Sequence, residues 1–543
     1  MEITTVKKME TEAIKSSGID FIKLGFALVF MVAVLSYSFM STGGMPNNAF
    51  LAIAALFGAY MAMNIGANDV ANNVGPAVGS KALTMGGAII IAAVFEAAGA
   101  LIAGGDVVKT IKKGIIDIAA FGGNTDQFIW AMMAALLSAA LWLNFATMAK
   151  APVSTTHSIV GGVMGAGVAA AGFGIVAWGT MAKIAASWII SPVLGGIIAA
   201  AFLYAIKKTI VFKKDKIKAA ITWVPIFVAI MSWAFVTYLT LKGLKKVWPS
   251  IVSFLTFLPD TKKPTFLVAM IIGLIIAVMV YFFVKTVVTM RANKIEGTRD
   301  GINVLFTVPL IFAAALLSFA HGANDVANAI GPLAAINDAV MTGGISGKAG
   351  IPLWVMAVGA LGIAIGLALY GPKLIKTVGS EITELDQMRA FSIAMAASIT
   401  VIIASQLGLP VSSTHIAIGG IFGVGFLREY LESSNIKEDI VHDQEVIEDE
   451  QKLLKAYDSE LKTLEEKNGK LKEEYKRIVQ LYQAIDDEEA KIKEAKRKLE
   501  SDEKVQYVRR DAAKKIIAAW IITVPAAGVL SACIYYMIRG MVL

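Results

Sequence analysis

The stretch SFAHGANDVANAIGPLAA, residues 318–335, places four polar side chains in one of the most apolar parts of the chain. These are His321, Asn324, Asp325 and Asn328. A charge at the centre of a bilayer costs about 2.5 kcal/mol or more, so ionisable residues are rare in membrane helices and mark functional sites. If this stretch crosses a membrane, its polar residues are candidates for a binding site.

The composition indicates a membrane protein. Of 543 residues, 56% are hydrophobic and only 17% are charged, which excludes an ordinary soluble globule. Apolar segments near the roughly 20 residues that a membrane helix needs recur along the chain. We predict an all-α polytopic membrane protein with about twelve spans. The candidate spans are residues 21–42, 47–80, 83–105, 126–149, 152–173, 176–206, 218–242, 264–290, 302–336, 350–371, 387–430 and 513–539.

Two long candidate spans carry the same polar motif and are interrupted by Gly and Pro. Residues 66–76 have the sequence GANDVANNVGP, and residues 322–332 have GANDVANAIGP, 256 positions later. Proline removes a backbone hydrogen bond from a helix, so we expect broken helices over 47–80 and 302–336.

Two further motifs repeat in the same order. PVSTTHSIVGGVMGAG begins at Pro152, and PVSSTHIAIGGIFGVG begins at Pro410, an offset of 258. Between the motifs, KTIKKGI at 109–115 resembles KTVGSEI at 376–382 and pairs Thr110 with Thr377 in re-entrant or interfacial stretches. The chain is therefore an internal duplication.

The basic loops predict the orientation of the two halves. The formal charge of +8 comes from lysines in short loops, which indicates membrane topology and not nucleic-acid binding. With 207–218 and 285–299 on the cytoplasmic side of a plasma membrane, the repeats begin on opposite sides and are inverted. The basic segment 241–246 then lies outside, as the one exception to the positive-inside rule.

A strongly charged segment interrupts the second half. Its apolar residues are spaced as heptads, and Asn468-Gly469 near its midpoint predicts a turn between two antiparallel coiled-coil helices on the cytoplasmic side. Heptads also permit association between chains. The chain is thus divided into a first repeat, connecting spans and loops, a second repeat, the coiled-coil hairpin and a last helix, over 1–207, 208–263, 264–432, 433–512 and 513–543. The apolar heptad residues are Ile447, Leu454, Tyr457, Leu461, Leu464, Leu471, Tyr475, Ile478, Tyr482 and Ile485.

The duplicated Asn-Asp motif suits a hard monovalent cation. An Asp flanked by Asn at i−1 and i+3 gathers three oxygen-bearing side chains within about one helical turn, beside carbonyls freed by the helix break. We expect such a cation to bind at this set of residues, with no other cofactor. The set is Asn68, Asp69, Asn72, Asn324, Asp325 and Asn328.

The Pro-Val-Ser motifs suit the opposite charge. A proline followed by a serine cap opens a helix whose first N–H groups attract an anion, and the hydroxyls of Ser154, Thr155, Ser412 and Ser413 add donors. Such residues in membrane helices commonly bond to helix carbonyls instead. Their duplication beside carboxylates favours a site for a compact oxyanion such as phosphate or sulfate.

Other residues were weighed against plainer roles. Glu96 lies in an apolar span, which favours ion coordination or proton exchange over a structural pair. The glycine-rich run GGVMGAG at 161–167 indicates close helix packing. His157 and His415 lack metal-ligand spacing and are interpreted as capping or hydrogen-bonded residues. His321 has Ile65 at the equivalent position of the other half, so this histidine belongs to one repeat only.

These motifs resemble the inorganic phosphate transporter family, which has a duplicated G-A-N-D-V-A-N followed in each half by P-[VI]-S-x-T-H. The resemblance implies cation-coupled phosphate symport, usually with sodium. It implies a cation and substrate centre at Asp69, Asn72, Asp325 and Asn328, and an important acid at Glu96. Ala394 stands where many relatives carry a second acid. The residues implied to bind phosphate are Thr110, Ser154, Thr155, Thr377, Ser412 and Ser413.

The leading hypothesis is a sodium-coupled phosphate importer that works by alternating access, and not an enzyme. Proton coupling, or sulfate as the anion, would keep the same fold. A channel or scaffold organised by the coiled coil, and an intramembrane hydrolase using Asp and His, are the rivals from other classes. The hydrolase lacks a nucleophile, base and orienting group in sequence.

Overall fold

The computed structural model describes residues 3–149, 153–245, 247–255, 258–345, 350–380, 385–469, 471–503 and 510–542. These residues form eighteen α-helices, and β pairing among them is confined to one isolated bridge between Ile116 and Val176. The chain is all-α, as the composition predicts. The helices before the charged segment are α1 (Ile3–Ser41), α2 (Asn48–Asn68), α3 (Val70–Gly79), α4 (Met85–Ala103), α5 (Gly105–Lys113), α6 (Thr125–Met148), α7 (Thr155–Ala171), α8 (Trp178–Ile206), α9 (Lys216–Gly243), α10 (Trp248–Phe254), α11 (Phe266–Ala292), α12 (Arg299–Val304), α13 (Thr307–Thr342), α14 (Leu353–Ser380) and α15 (Gln387–Gln406). The remaining helices are α16 (Ser413–Glu465), α17 (Lys472–Glu503) and α18 (Arg510–Val542).

Eleven helical segments in the described residues are long and apolar enough to cross a membrane. Among the differences from the predicted spans, two occur at the Pro-Val-Ser motifs. The predicted span 152–173 is α7, a helix of only 17 residues, and the predicted span 387–430 is two helices that meet at residues 407–412. In both cases the helix begins at a serine-capped break in the interior, which hydropathy alone does not detect.

The expected break in the Asn-Asp segments occurs in one repeat only. α2 ends at Asn68 and α3 begins at Val70, so Asp69 sits at the break. The equivalent motif of the second repeat lies within one continuous helix, α13, so the break predicted at that motif does not occur. The interruption within 302–336 is instead the turn at residues 305–306, between α12 and α13. Pro332 removes one backbone hydrogen bond, but other helices enclose α13, and a bundled membrane helix tolerates that loss.

A helix of each repeat packs closely against a helix of the other repeat. An added Cβ at Gly66 on α2 would lie 1.9 Å from the carbonyl oxygen of Ile363 on α14, and one at Gly322 on α13 would lie 2.1 Å from that of Glu96 on α4. Each Asn-Asp helix therefore packs on a helix of the other repeat. Two reciprocal contacts of this kind describe a two-fold relation between the halves, the relation that paired repeats predict.

The glycine-rich runs after the Pro-Val-Ser motifs serve a second pair of close contacts. A Cβ at Gly161 on α7 would lie 2.5 Å from the carbonyl oxygen of Val524 on α18. At the equivalent Gly419 on α16, it would lie 2.2 Å from that of Pro192 on α8. The predicted packing role of these runs is confirmed, because only glycine lets the backbones approach so closely.

Residues Gly425–Arg509 form a separate compact unit. Within it, the C-terminal part of α16 and α17 are antiparallel, because Glu460 pairs with Arg477 whereas the earlier Glu450 contacts the later Glu488. The turn contains Gly469 with a positive φ of 80°, where the Asn-Gly pair predicts a turn. Coiled-coil packing and a cytoplasmic position of this unit stay predictions.

The predicted heptad positions are only partly correct in α17. Ile478 and Ile485 are half-buried on one helix face, but the predicted tyrosines are not on that face. Tyr475 and Tyr482 are exposed, and the buried face instead contains Leu481 and Ile492. In α16 the predicted Leu461 is buried. The error arose because tyrosine was counted as apolar, whereas the Tyr482 hydroxyl lies at the surface and donates to Glu465 at 2.7 Å.

Candidate substrate and ion site

The two motif aspartates meet in the interior of the bundle. Asp69, Asp325 and His321 each present a side-chain oxygen or nitrogen atom, and these three atoms lie within 4.8 Å of one another. All three side chains are almost fully buried. The duplicated motifs of the two halves therefore converge on one centre, and the ionisable neighbour that they share is a histidine.

Each carboxylate accepts a hydrogen bond from its own repeat. The Thr155 hydroxyl donates to Oδ2 of Asp69 at 2.7 Å, and the Ser413 hydroxyl donates to Oδ2 of Asp325 at 3.0 Å. Both hydroxyls belong to the first turn of a helix, α7 or α16. The local sequence explains this position, because the preceding serine in each motif caps its helix and turns the next side chain toward the carboxylate.

The serine caps are equivalent in the two halves. The N–H of His157 donates to Oγ of Ser154 at 3.1 Å, and the N–H of His415 donates to Oγ of Ser412 at 3.3 Å. Each cap uses the third N–H of its helix. The first two N–H groups of α7 and α16 are then the ones that can point to an anion.

The second asparagine of each motif contacts the other repeat. Nδ2 of Asn72 donates to the Thr414 hydroxyl at 2.9 Å, and Nδ2 of Asn328 donates to the hydroxyls of Thr155 and Thr156 at 3.1 Å. Thr156 and Thr414 are equivalent positions that the sequence analysis did not include. Their signal was present, since both follow a predicted site residue in the repeated motif.

Several buried oxygens at this centre accept no hydrogen bond from the described residues. Leaving a buried acceptor unpaired costs about 1–3 kcal/mol, so these oxygens are available to a ligand. They are carboxylate and amide oxygens, the ligands that a hard cation prefers. The atoms are Oδ1 of Asn72, Asn73, Asn324, Asp325 and Asn328.

His321 links Glu96 to the aspartate pair. Its Nδ1 lies 2.7 Å from Oε2 of Glu96, and its Nε2 lies 2.8 Å from Oδ2 of Asp325. The other Glu96 oxygen accepts from Nδ2 of Asn73 at 2.7 Å. In the sequence, His321 is a polar candidate that occurs in one repeat only, and no partner is indicated for it. The signal was its place four residues before Asp325, one helical turn away on the same face.

The first asparagine of each motif contacts the chain just before a Pro-Val-Ser motif. Nδ2 of Asn324 donates to the Ser405 hydroxyl at 3.0 Å and to the Leu409 carbonyl at 3.3 Å. With its amide turned to satisfy its neighbours, Asn68 donates to Oδ1 of Asp69 at 3.2 Å and accepts from Thr147. These amides therefore hold the chain segments that enclose the centre.

The two predicted threonines outside the main motifs differ in what can be described. The Thr110 hydroxyl donates to the carbonyl of Gly408 at 2.7 Å, which ties α5 to the segment that precedes Ser412. The Thr377 side chain and all of Pro152 lie outside the described residues.

The centre thus combines acceptor oxygens for a cation with hydroxyls and helix N-termini for an anion. Such a buried, mixed centre between two related halves of a multi-span helical bundle defines a membrane transport protein. The chain belongs to the phosphate transporter family, whose sequence profile matches residues 65–531. The resemblance seen in the sequence is confirmed.

Related proteins and a solved structure agree with this family. The chain is 49% identical over 547 residues to a proposed phosphate permease of Helicobacter pylori, which covers 98% of both chains. It is 38% identical over 384 residues to one of Pyrococcus abyssi, covering 71% of this chain and 90% of that protein. A solved structure of a sodium-dependent phosphate transporter superposes with a TM-score of 0.70 and 29% identity, covering 91% of this chain and all of that one.

Proposed function

We propose that this protein imports inorganic phosphate together with sodium across the plasma membrane, by alternating access around the Asp69–Asp325 centre. The observation that carries the proposal is the convergence of the buried Asp69 and Asp325 carboxylates, each of which accepts from a hydroxyl, that of Thr155 or that of Ser413. The carboxylate oxygens suit a cation and the hydroxyls suit an anion, and each hydroxyl is hydrogen-bonded to one of the two carboxylates.

The hydrogen bonds of those two hydroxyls explain why phosphate binding depends on sodium. Each hydroxyl has one hydrogen, and in this structure the hydrogens of Thr155 and Ser413 point to carboxylates. Sodium bound to the carboxylates takes over those oxygens and releases the hydroxyl hydrogens to phosphate. Without sodium, phosphate meets two carboxylates and few free donors, so it binds poorly.

Alternating access is supported by the hydrogen bonds that join the two repeats. The bonds from Asn72 to Thr414 and from Asn328 to Thr156 each cross between the repeats. A two-fold pair of such contacts allows one half-site to tighten while its equivalent loosens. The two repeats then take turns in closing the centre from opposite sides of the membrane.

The test is phosphate accumulation by purified protein in liposomes, with the sodium and proton gradients imposed separately. An inward sodium gradient with equal pH on both sides should drive phosphate above its equilibrium level. Accumulation that ignores sodium would overturn sodium coupling. Uptake that never exceeds the phosphate gradient would indicate a channel.

Proton coupling is the second candidate, and one observation favours it. Glu96, His321 and Asp325 form a buried chain of titratable groups, the arrangement that carries protons in transporters. A proton gradient without sodium should then drive accumulation, and Glu96→Gln should abolish it. The same liposome experiment separates the two candidates.

A further inference from the structure

A large cavity at the edge of the bundle is lined by lysines, and neither Asp69 nor Asp325 lines it. Its volume is about 980 Å³, and it is bordered by α5, the end of α9, the segment before α11 and the start of α14. We call it the lysine basin. The lysines that line it are Lys109, Lys112, Lys242, Lys245, Lys262 and Lys263.

The basin carries a strong excess of positive charge. Lys112 is buried and paired with Asp338 at 3.0 Å, which neutralises it. The other five lysines share a single lining carboxylate, Asp106, among the described residues, so four positive charges are in excess. Lys262 and Lys263 are exposed and lie within ion-pair distance of no carboxylate in the described part of the chain.

Asp106 occupies the basin as an internal anion. Its Oδ2 lies 2.5 Å from Nζ of Lys242, and its Oδ1 lies 3.4 Å from Nζ of Lys245 and 3.6 Å from Nζ of Lys109. Partial burial raises the pKa of Asp106. The lysine ammonium groups together lower it by more than burial raises it, so the pKa lies below its usual value. A carboxylate held in this way marks where an incoming anion can bind to the same lysines.

The basin connects to the buried centre through the segment after α15. Nζ of Lys242 lies 3.5 Å from the carbonyl oxygen of Ser405, and the Ser405 hydroxyl accepts from Asn324, the neighbour of Asp325. Thr110 on α5 contacts Gly408 in the same segment. Ser405 and Asn324 therefore link the basin to the centre that contains Asp325.

The position of the basin also accounts for an exception in the charge pattern. α9 and α11 are each long enough to cross the membrane, so the described residues between these two helices lie on the face opposite to the basic loop 207–215. With that loop in the cytoplasm, the basin opens to the outside. Lysines at 242 and 245 break the positive-inside rule, and an anion site is a reason to keep them there.

We propose that the lysine basin is a second, weak binding site for inorganic phosphate, where the anion exchanges with Asp106 before it passes to the buried centre. A basic cavity concentrates anions near it about tenfold or more and raises their rate of entry. The loading role rests on the proposed function. Binding of phosphate by the basin does not, because it requires only the lysines.

Binding is tested by lysine footprinting on the purified full-length protein in neutral phosphatidylcholine nanodiscs without sodium. Phosphate should protect Lys262 and Lys263 from acetylation by at least about threefold relative to chloride at equal ionic strength. Lys214 and Lys218, exposed at the opposite end of α9, are the matched controls and should be unprotected. No protection, or equal protection of the controls, would overturn the proposal.

A lipid headgroup offers the same phosphate chemistry and is tested in a second arm. Nanodiscs containing anionic phosphatidylglycerol are labelled with and without free phosphate. Protection by anionic lipid alone, with no effect of free phosphate, would overturn the proposal in favour of a lipid site. Protection by free phosphate in both nanodiscs supports it.

The loading role is tested by uptake into intact cells that lack other phosphate transporters. Lys262→Gln/Lys263→Gln should raise the phosphate KM about three- to tenfold at low ionic strength with an unchanged maximal rate, and high salt should remove the difference. Asp106→Asn should lower the KM, whereas Lys214→Gln/Lys218→Gln should leave it unchanged. An unchanged KM in the basin variants would overturn loading. Footprinting protection without any uptake by the wild-type protein would refute the symport proposal and leave the basin intact.

Discussion

Replacing Asp325 by asparagine removes one charge from the centre and leaves its shape nearly unchanged. The asparagine oxygen can still accept from Ser413 at the present 3.0 Å, so the contact between α13 and the start of α16 is kept. A cation about 4 Å from a carboxylate gains about 4 kcal/mol at an effective dielectric constant of 20. At about 1.4 kcal/mol per factor of ten, the full loss would weaken sodium binding roughly a thousandfold.

Part of that loss is returned, because the Asp69 and Asp325 carboxylates, which the structure brings within 4.8 Å, no longer repel each other. We therefore expect the sodium concentration for half-maximal uptake to rise between about tenfold and a thousandfold. The assay is initial uptake of labelled phosphate by liposomes against sodium concentration. Asp300→Asn, the same change at an exposed position on α12, is the control. A sodium activation curve within twofold of wild type, at equal protein content, would refute the assignment.

Three other predictions follow from the contacts of the two repeats. Gly66→Ala must move Ile363 by about 1.5 Å to reach ordinary contact from 1.9 Å, so thermal-shift assays should show a loss of about 1–3 kcal/mol, and Gly179→Ala, with open space around it, should show none. Thr414→Val removes one of the two acceptors of the Asn72 amide, the other being the Asp69 carbonyl, and should reduce the rate of uptake more than stability, measured on the same purified samples. Ser154→Ala removes a helix cap and should cost about 1 kcal/mol in the same thermal assay; an unchanged melting temperature would contradict the cap.

Duplication carried most of what the sequence could predict about the centre. A motif kept twice at a constant offset selects polar residues that a single helix would leave ambiguous. It therefore indicated that Asp69 and Asp325 belong together, and the structure brings them together. The same reasoning predicted packing for the glycine-rich runs, because glycines at equivalent positions in both halves require close backbone contact in both.

Features found in only one repeat escaped this reasoning. His321 has Ile65 as its counterpart, so duplication gave it no weight, although it contacts both Glu96 and Asp325. The break at Asp69 is also confined to one half, and its expected equivalent in α13 does not occur. Tertiary enclosure decides whether a proline-containing membrane helix breaks, and a local sequence pattern does not contain that information.

The lysine basin required the fold for a different reason. Its charges come from three separate segments, and within the sequence each lysine pair resembles an ordinary basic loop. Only the exception to the positive-inside rule at residues 241–246 indicated that some lysines were kept for another purpose.

The central claim is that sodium and phosphate share one centre, and equilibrium binding to the purified protein tests it most directly. Thermodynamic linkage requires that sodium raise phosphate affinity by the same factor by which phosphate raises sodium affinity. At an ionic strength high enough to screen the lysine basin, titration calorimetry should show tight phosphate binding in sodium and more than about tenfold weaker binding in choline. Asp325→Asn should abolish the difference. Equal phosphate affinity in sodium and in choline would contradict the shared centre.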